Sequence, residues 1–158
     1  MPNKHAPEIM EKIKNKLKSK KFMWDNRTST KNFTRKRKLP FVSLVCFILN
    51  GIKQSIQKGL TSFIQEHTTH KNMTKSAFCQ QRVKLKPEAF IELNQVLIDE
   101  FYTDNEFATH YGMRLISIDG STLELPHSQE TIDTFGVNNE DNMTSMSKIS
   151  TMFDQLNN

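Results

Sequence analysis

Cysteine is scarce in this chain: Cys46 and Cys79 are the only two, with no Cys-x-x-Cys pair. A disulfide framework and a four-cysteine zinc site are therefore excluded, and a reducing, cytoplasmic setting is the expectation. Long apolar runs are missing too. The longest, Phe41 to Ile52, is interrupted by Ser43 and Asn50 and followed by Lys53, whereas a spanning helix needs roughly 18 to 20 apolar residues. No transmembrane helix is expected, and no membrane partner. The same run starts too far from Met1, behind too many charges, to be the core of a secretory signal. At 158 residues the chain fits one ordinary domain or two small ones, which excludes a large multidomain enzyme.

Charge is plentiful but unevenly placed. Residues 1 to 40 hold 13 Lys and Arg against Glu8, Glu11 and Asp25, and residues 41 to 90 hold 7 against Glu66 and Glu88. Beyond residue 90 only Arg114 and Lys148 face 12 acidic residues. Clustered cations beside a separate acidic region suit a nucleic-acid binder carrying a second, different unit, because phosphate neutralisation releases counterions. A solubilising basic tail is the plainer alternative.

Apolar spacing organises the rest. Ile9, Met10, Ile13 and Leu17 recur at helical intervals among lysines, predicting a basic amphipathic helix after Pro7 that orders on contact. From Asp25 to Lys38 the chain is polar, and residues 1–38 read as a basic arm and linker. Leu39-Pro40 then opens an apolar helix to about Asn50 with a stripe of Phe41, Leu44, Val45, Ile48 and Leu49. Ser55 to about Glu66 repeats the pattern with Ile56, Leu60, Phe63 and Ile64, so the two helices bury each other. Thr74 is a plausible N-cap for a short helix with Ala77, Phe78, Val83 and Leu85 on one face, ended at Lys86-Pro87. Phe90, Leu93, Val96, Leu97, Phe101 and Tyr102 mark a further helix from Pro87-Glu88. The period then alternates. Met113 to Asp119 and Thr122 to Pro126 read as a β-hairpin about a Gly120-Ser121 turn, which places Asp119 at a strand rim. Ser128 to Phe135 reads as a capped helix ending at Gly136, and the apolar Ile149, Met152, Phe153 and Leu156 follow near the terminus. Two strands need a third or a packed helix for stability, so the sheet looks interrupted.

A carboxylate at a strand rim suits a hard cation such as Mg²⁺, although Asp-Gly is equally ordinary turn chemistry. The phrase Arg114-Leu115-Ile116-Ser117-Ile118-Asp119-Gly120-Ser121-Thr122-Leu123-Glu124-Leu125-Pro126, with Phe135-Gly136 nine residues on, resembles the first catalytic motif of bacterial insertion-sequence DDE transposases of the "IS-four" type. Upstream, Thr34 to Phe41 resembles the start of that family's N-terminal helical domain. Lys75 to Phe90 resembles the segment preceding its catalytic domain. The resemblance covers roughly residues 34 to 156.

It implies a mainly α N-terminal helical domain, residues 39–105, that binds DNA, followed over residues 106–158 by the start of a truncated α/β RNase H-like domain: a β-hairpin and third strand. It further implies a metal site in which two Asp and one Glu hold Mg²⁺, with Asp119 as the first Asp and its catalytic and metal-binding residue. Neither the second Asp nor the family's Tyr-Arg-Glu-Lys helix is found, and Asp154 and Glu124 are poor substitutes. Strand transfer is therefore not expected of this chain. The implied partner is double-stranded DNA at terminal inverted repeats, with Arg35, Lys36, Arg37 and Lys38 among the DNA-binding residues; on the helix after Thr74, Lys75, Gln81, Arg82 and Lys84 would meet phosphates and Gln80 a base. The helices at 55–66 and 75–85 would form a helix-turn-helix-like pair. A charged face turned to solvent is the alternative.

Weaker constellations complete the reading. His67, His70 and Cys79 lack a fourth ligand for zinc, and Cys46 is most simply a small core residue. Trp24 has the choice of stacking on a base or packing on the bundle. Ser117 and Ser121 lack any Gly-x-Ser-x-Gly context. A free-standing regulator that occupies element ends, and a basic module for an acidic protein partner, are the competing classes.

Overall fold

A computed structural model of the chain describes residues 6–35, 38–51, 55–67, 73–103, 107–137 and 144–157. It divides into two compact units, Met1–Asp104 and Asn105–Asn158. Among the described residues the first holds six helices and the second a helix with a two-stranded sheet.

In the first unit, α1 spans Ala6–Lys18, with Glu8 in its first turn and Lys16 and Lys18 in its last, the polarity that favours a helix dipole. It stops at Ser19, whose hydroxyl accepts a bond from the Phe22 amide and caps α2, Lys20–Asp25. α3 covers Phe41–Leu49, α4 Ile56–His67, α5 Lys75–Arg82 and α6 Glu88–Tyr102. These spans match the periodicity closely. α1 and α6 run antiparallel, tied by ion pairs from Lys12 to Glu100 and from Lys16 to Glu92.

One core gathers all six helices: Leu17, Phe22, Leu39, Leu44, Val45, Leu60, Ile64, Phe78 and Leu93 are buried in a single cluster. Aromatic rings bind its layers. Phe22 and Phe33 both meet Phe41 edge-on, and Phe47 meets Phe63 and Phe78 at 5.3 and 5.0 Å between ring centres, geometry that aromatic quadrupoles favour. α4 and α5 are further joined by Gln57, whose side chain donates to Met73 O at 2.9 Å and accepts from Lys75 N at 2.8 Å.

The polar stretch after α2 corrects the expectation of an arm over residues 1–38. Its first residue, Asn26, is only 1% exposed. Its side-chain amide donates to Phe22 O at 3.1 Å and Glu92 Oε1 at 3.0 Å, while its carbonyl accepts from Lys86 N at 3.0 Å. Thr28 N adds a bond to Lys84 O, and Arg27 bridges to Leu85. The backbone of a polar segment still needs hydrogen-bond partners, and this one finds them on the α5–α6 connection rather than in solvent. Apolar anchors on each side, Phe22 and Leu39, then hold it to the bundle, so packing does not divide at residue 38.

Three helix faces also differ from the sequence pattern. In α3 Phe47 is buried and Leu49 is 56% exposed; in α5 Gln81 is buried and Val83 is 71% exposed; in α6 Leu97 is exposed. Leu49 and Val83 lie at helix ends, Val83 being the C-cap of α5, where the face that begins the helix no longer points inward.

The second unit corrects the hairpin. β1 runs unbroken over Ile116–Glu124 and pairs antiparallel, residue for residue, with β2, Met146–Asp154. Gly120 lies opposite Ser150 in mid-strand, and it is not among the residues of positive φ, which a type I′ turn requires at both central positions. A nine-residue partner pairs the whole segment, whereas a turn at Gly120 would leave a far shorter ladder. α7, Gln129–Phe135, lies between the strands in sequence and is capped by reciprocal bonds between Ser128 and Thr131. Ser145, 1% exposed, donates to Gly136 O at 2.7 Å, and Leu125 N donates to Ser145 O. Asn157 clasps Ala108 through both its backbone N and O. The sheet has two strands among the described residues, which is less than an RNase H-like fold.

Candidate nucleic-acid interface

The two packed units carry net charge of opposite sign. The unit Met1–Asp104 carries 20 Lys and Arg against 9 Asp and Glu, a net +11; the unit Asn105–Asn158 carries 2 against 8, a net −6.

α5 is the most regular cationic element. Thr74 caps it by accepting from Ala77 N at 3.2 Å, and Phe78 fixes its rotation by burying at 1% exposure. Lys75, Gln80 and Arg82 are consequently exposed, without an ion pair among the described residues. Gln81 departs from the expected phosphate contact because it is one helical step from the exposed face and only 7% exposed. Lys84 is half-buried and donates to Gln81 Oε1 at 3.3 Å. Arg35 and Lys38 are exposed, and Lys36 and Arg37 lie outside the described residues.

Sequence reasoning missed a cavity of about 540 Å³ in this unit, floored by Leu17, Leu39 and Phe41 and rimmed by Lys18, Lys20, Lys31, Arg35 and Lys84. No carboxylate lines it among the described residues. The available signal was the pair of apolar residues, Phe33 and Leu39, flanking cations in a stretch otherwise too polar to fold alone. Beside Asn32 of its lining, Arg27 donates from Nη1 to Asn32 O at 3.1 Å, while its buried Nε has no partner among the described residues.

Asp119 stands exposed in the middle of β1, opposite Thr151, which corrects its expected place at a strand rim. Strict alternation puts Ser117, Ser121, Thr151 and Ile149 on its side of the ribbon and Glu124 and Asp154 on the other. One carboxylate among hydroxyls and apolar groups does not fit a site for two Mg²⁺ ions, and the described residues hold no group of three or more His, Cys, Asp or Glu suited to a metal. His67 packs edge-on against Phe63 at 4.8 Å, 3.7 Å from Glu66; its expected companion His70 lies outside the described residues. Cys46 packs against the core, and burial pushes its thiol pKa up. Trp24 is 54% exposed. No helix among the described residues is long and apolar enough to cross a membrane. Comparison with family models, with curated proteins and with solved structures returns no match for this chain.

Proposed function

We propose that the helical unit binds double-stranded DNA and that the chain is a segment of an insertion-sequence DDE transposase of the IS-four type, met at terminal inverted repeats. The observation that carries the DNA reading is the charge of the packed helical unit, net +11, with Lys75, Gln80 and Arg82 of one short helix exposed and without carboxylate partners among the described residues. The transposase reading adds the resemblance around Asp119. In that reading the acidic unit is the start of an RNase H-like domain whose Mg²⁺ chemistry needs further carboxylates, so the chain binds without cutting. Among the described residues, thirteen large apolar side chains between Tyr111 and Leu156 are exposed, which supports an unfinished domain over a free-standing regulator.

The test is fluorescence anisotropy with a labelled duplex across a salt series. About four phosphate contacts give a log–log slope near −3.6 and about a hundredfold loss of affinity from 50 to 200 mM salt. Lys75→Ala and Arg82→Ala each reduce that slope by about 1. A flat salt response removes the DNA reading. Mg²⁺-dependent nicking abolished by Asp119→Ala would remove the statement that the chain does not cut.

A further inference from the structure

The cavity of the helical unit combines three features that belong together only if something occupies it. Its floor and one wall are apolar and aromatic, with Met23, Phe33 and Phe41 among the lining residues. Its rim carries five cations and no carboxylate, and none of the five forms an ion pair among the described residues. Its lining includes Gln81, more than nine-tenths buried, whose Oε1 accepts from Lys84 and whose amide nitrogen donates to no group among the described residues. That amide nitrogen is not among the buried atoms left without a partner, so it keeps access to water in the cavity, which a ligand acceptor would replace.

The wall is also held in place before any ligand arrives. Phe33 has a φ of 58°, a left-handed conformation rare for a bulky residue and one that persists only where the surroundings enforce it. The surrounding turn is over-determined: Arg27 Nη1 donates to Asn32 O, Asn32 Nδ2 to Thr28 Oγ1 at 2.9 Å, Asn32 N to Ser29 O at 3.0 Å and Thr34 Oγ1 to Lys31 O at 3.0 Å. Pre-organisation of this kind lowers the entropy lost on binding.

We infer that this cavity binds a nucleotide, with the base against the apolar wall of Phe33, Phe41 and Met23, its edge hydrogen-bonded by the Gln81 amide, and the phosphate at the cationic rim. The volume lies within the 300 to 1,000 Å³ usual for small-molecule sites. Aromatic walls accept any base by its π-face, and an amide presents a donor and an acceptor to a base edge. An alkyl carboxylate explains less: it carries one charge for five cations and leaves Gln81 unpaired. The ligand class follows from the nucleic-acid reading, but the site is separate from the exposed face of α5. Its occupant is either a free mononucleotide or the terminal nucleotide of a DNA strand, chemistry that both share.

Calorimetric titration of the full chain with 2′-deoxyadenosine 5′-monophosphate, deoxyadenosine, inorganic phosphate and decanoate tests it. The nucleotide is expected to bind below about 1 mM and at least about tenfold tighter than either of its parts. Gln81→Leu and, separately, Lys18→Gln with Lys31→Gln should each weaken it at least about fivefold, with thermal unfolding checked for each variant. Competition by a 5′-phosphorylated single strand stronger than by mononucleotide assigns the site to a strand end; the reverse assigns it to free nucleotide. Tighter binding of decanoate, phosphate alone binding as well as the nucleotide, or nucleotide binding unmoved by both variants overturns the inference. Duplex affinity is read separately by anisotropy, so retained duplex binding with no nucleotide binding sinks the cavity and leaves the interface standing, and the opposite pattern does the reverse.

Discussion

Replacing Asn26 by Ala removes two side-chain hydrogen bonds and leaves the backbone bonds of residue 26 intact. The bond to Phe22 O is a neutral one in a buried setting, worth about 1 kcal/mol, and Phe22 O keeps the Asn26 backbone N–H at 3.1 Å. The bond to Glu92 is charge-assisted, which ordinarily contributes about 1.5 to 3 kcal/mol. The Glu92 side chain is 40% exposed, so water replaces part of that, and about 1 kcal/mol is the better figure. Together the loss is about 2 kcal/mol, equivalent to a fall in melting temperature of about 10 °C for a unit of this size. Urea unfolding followed by far-UV circular dichroism measures it. In a double-mutant cycle with Glu92→Ala the coupling should be about 1 kcal/mol. A loss under about 0.5 kcal/mol, or strict additivity in the cycle, would show that the polar segment is not clamped where the geometry puts it.

The Asn26 bond and Lys16 hold the Glu92 carboxyl below its ordinary pKa of 4.5. A depressed folded pKa contributes stability that is present above the unfolded value and lost as pH falls through the folded one. Glu92→Gln should therefore destabilise more at pH 7 than at pH 3, and an equal effect at both would contradict the assignment. Gly120→Thr should leave the protein as stable or stabilise it by about 0.5 to 1 kcal/mol, since glycine weakens a strand interior and no atom lies within 4 Å of the added Cβ; clear destabilisation would return Gly120 to a turn. Thr74→Ala should cost about 1 kcal/mol through loss of the α5 cap, and an unchanged urea midpoint would contradict that. Limited proteolysis should spare residues 6 to 35 along with the bundle, because Leu17 and Phe22 belong to its core; cleavage there ahead of the acidic unit would restore the arm.

Helices were legible where an apolar stripe was bounded by a local stop signal. Thr74, Pro87 and the Ser128 to Gly136 segment each announced their boundaries, and α3 to α6 lie within a residue or two of the expected ends apart from the early close of α5 at Arg82. What stayed hidden depended on distant partners. Asp119-Gly120 is a turn signal by composition, but Ser150 and Thr151, thirty residues on, supply a ladder that outweighs it. The segment after Asp25 looked unfoldable because what holds it is distant in sequence: Phe33 meets Phe41, Leu39 joins the core cluster, and Asn26 and Thr28 bond to the α5–α6 connection. Exposure of Lys75, Gln80 and Arg82 followed from helical spacing; the inward turn of Gln81 did not, because a polar side chain carries no sequence mark of burial. The cavity left only the faint mark of Phe33 and Leu39 among cations.

The Asn26 clamp also orders events in time. Its partner Glu92 lies 66 residues further along the chain, so α1 and α2 are synthesised well before the groups that receive them. At roughly 5 to 20 residues per second of translation, the lag is about 3 to 13 s, long compared with the microseconds a helix needs to form. During that interval the basic residues of α1 and α2 have left the ribosome ahead of α6 and have no bundle to join, so the counter-charges within their reach are those of the translating ribosome's own RNA.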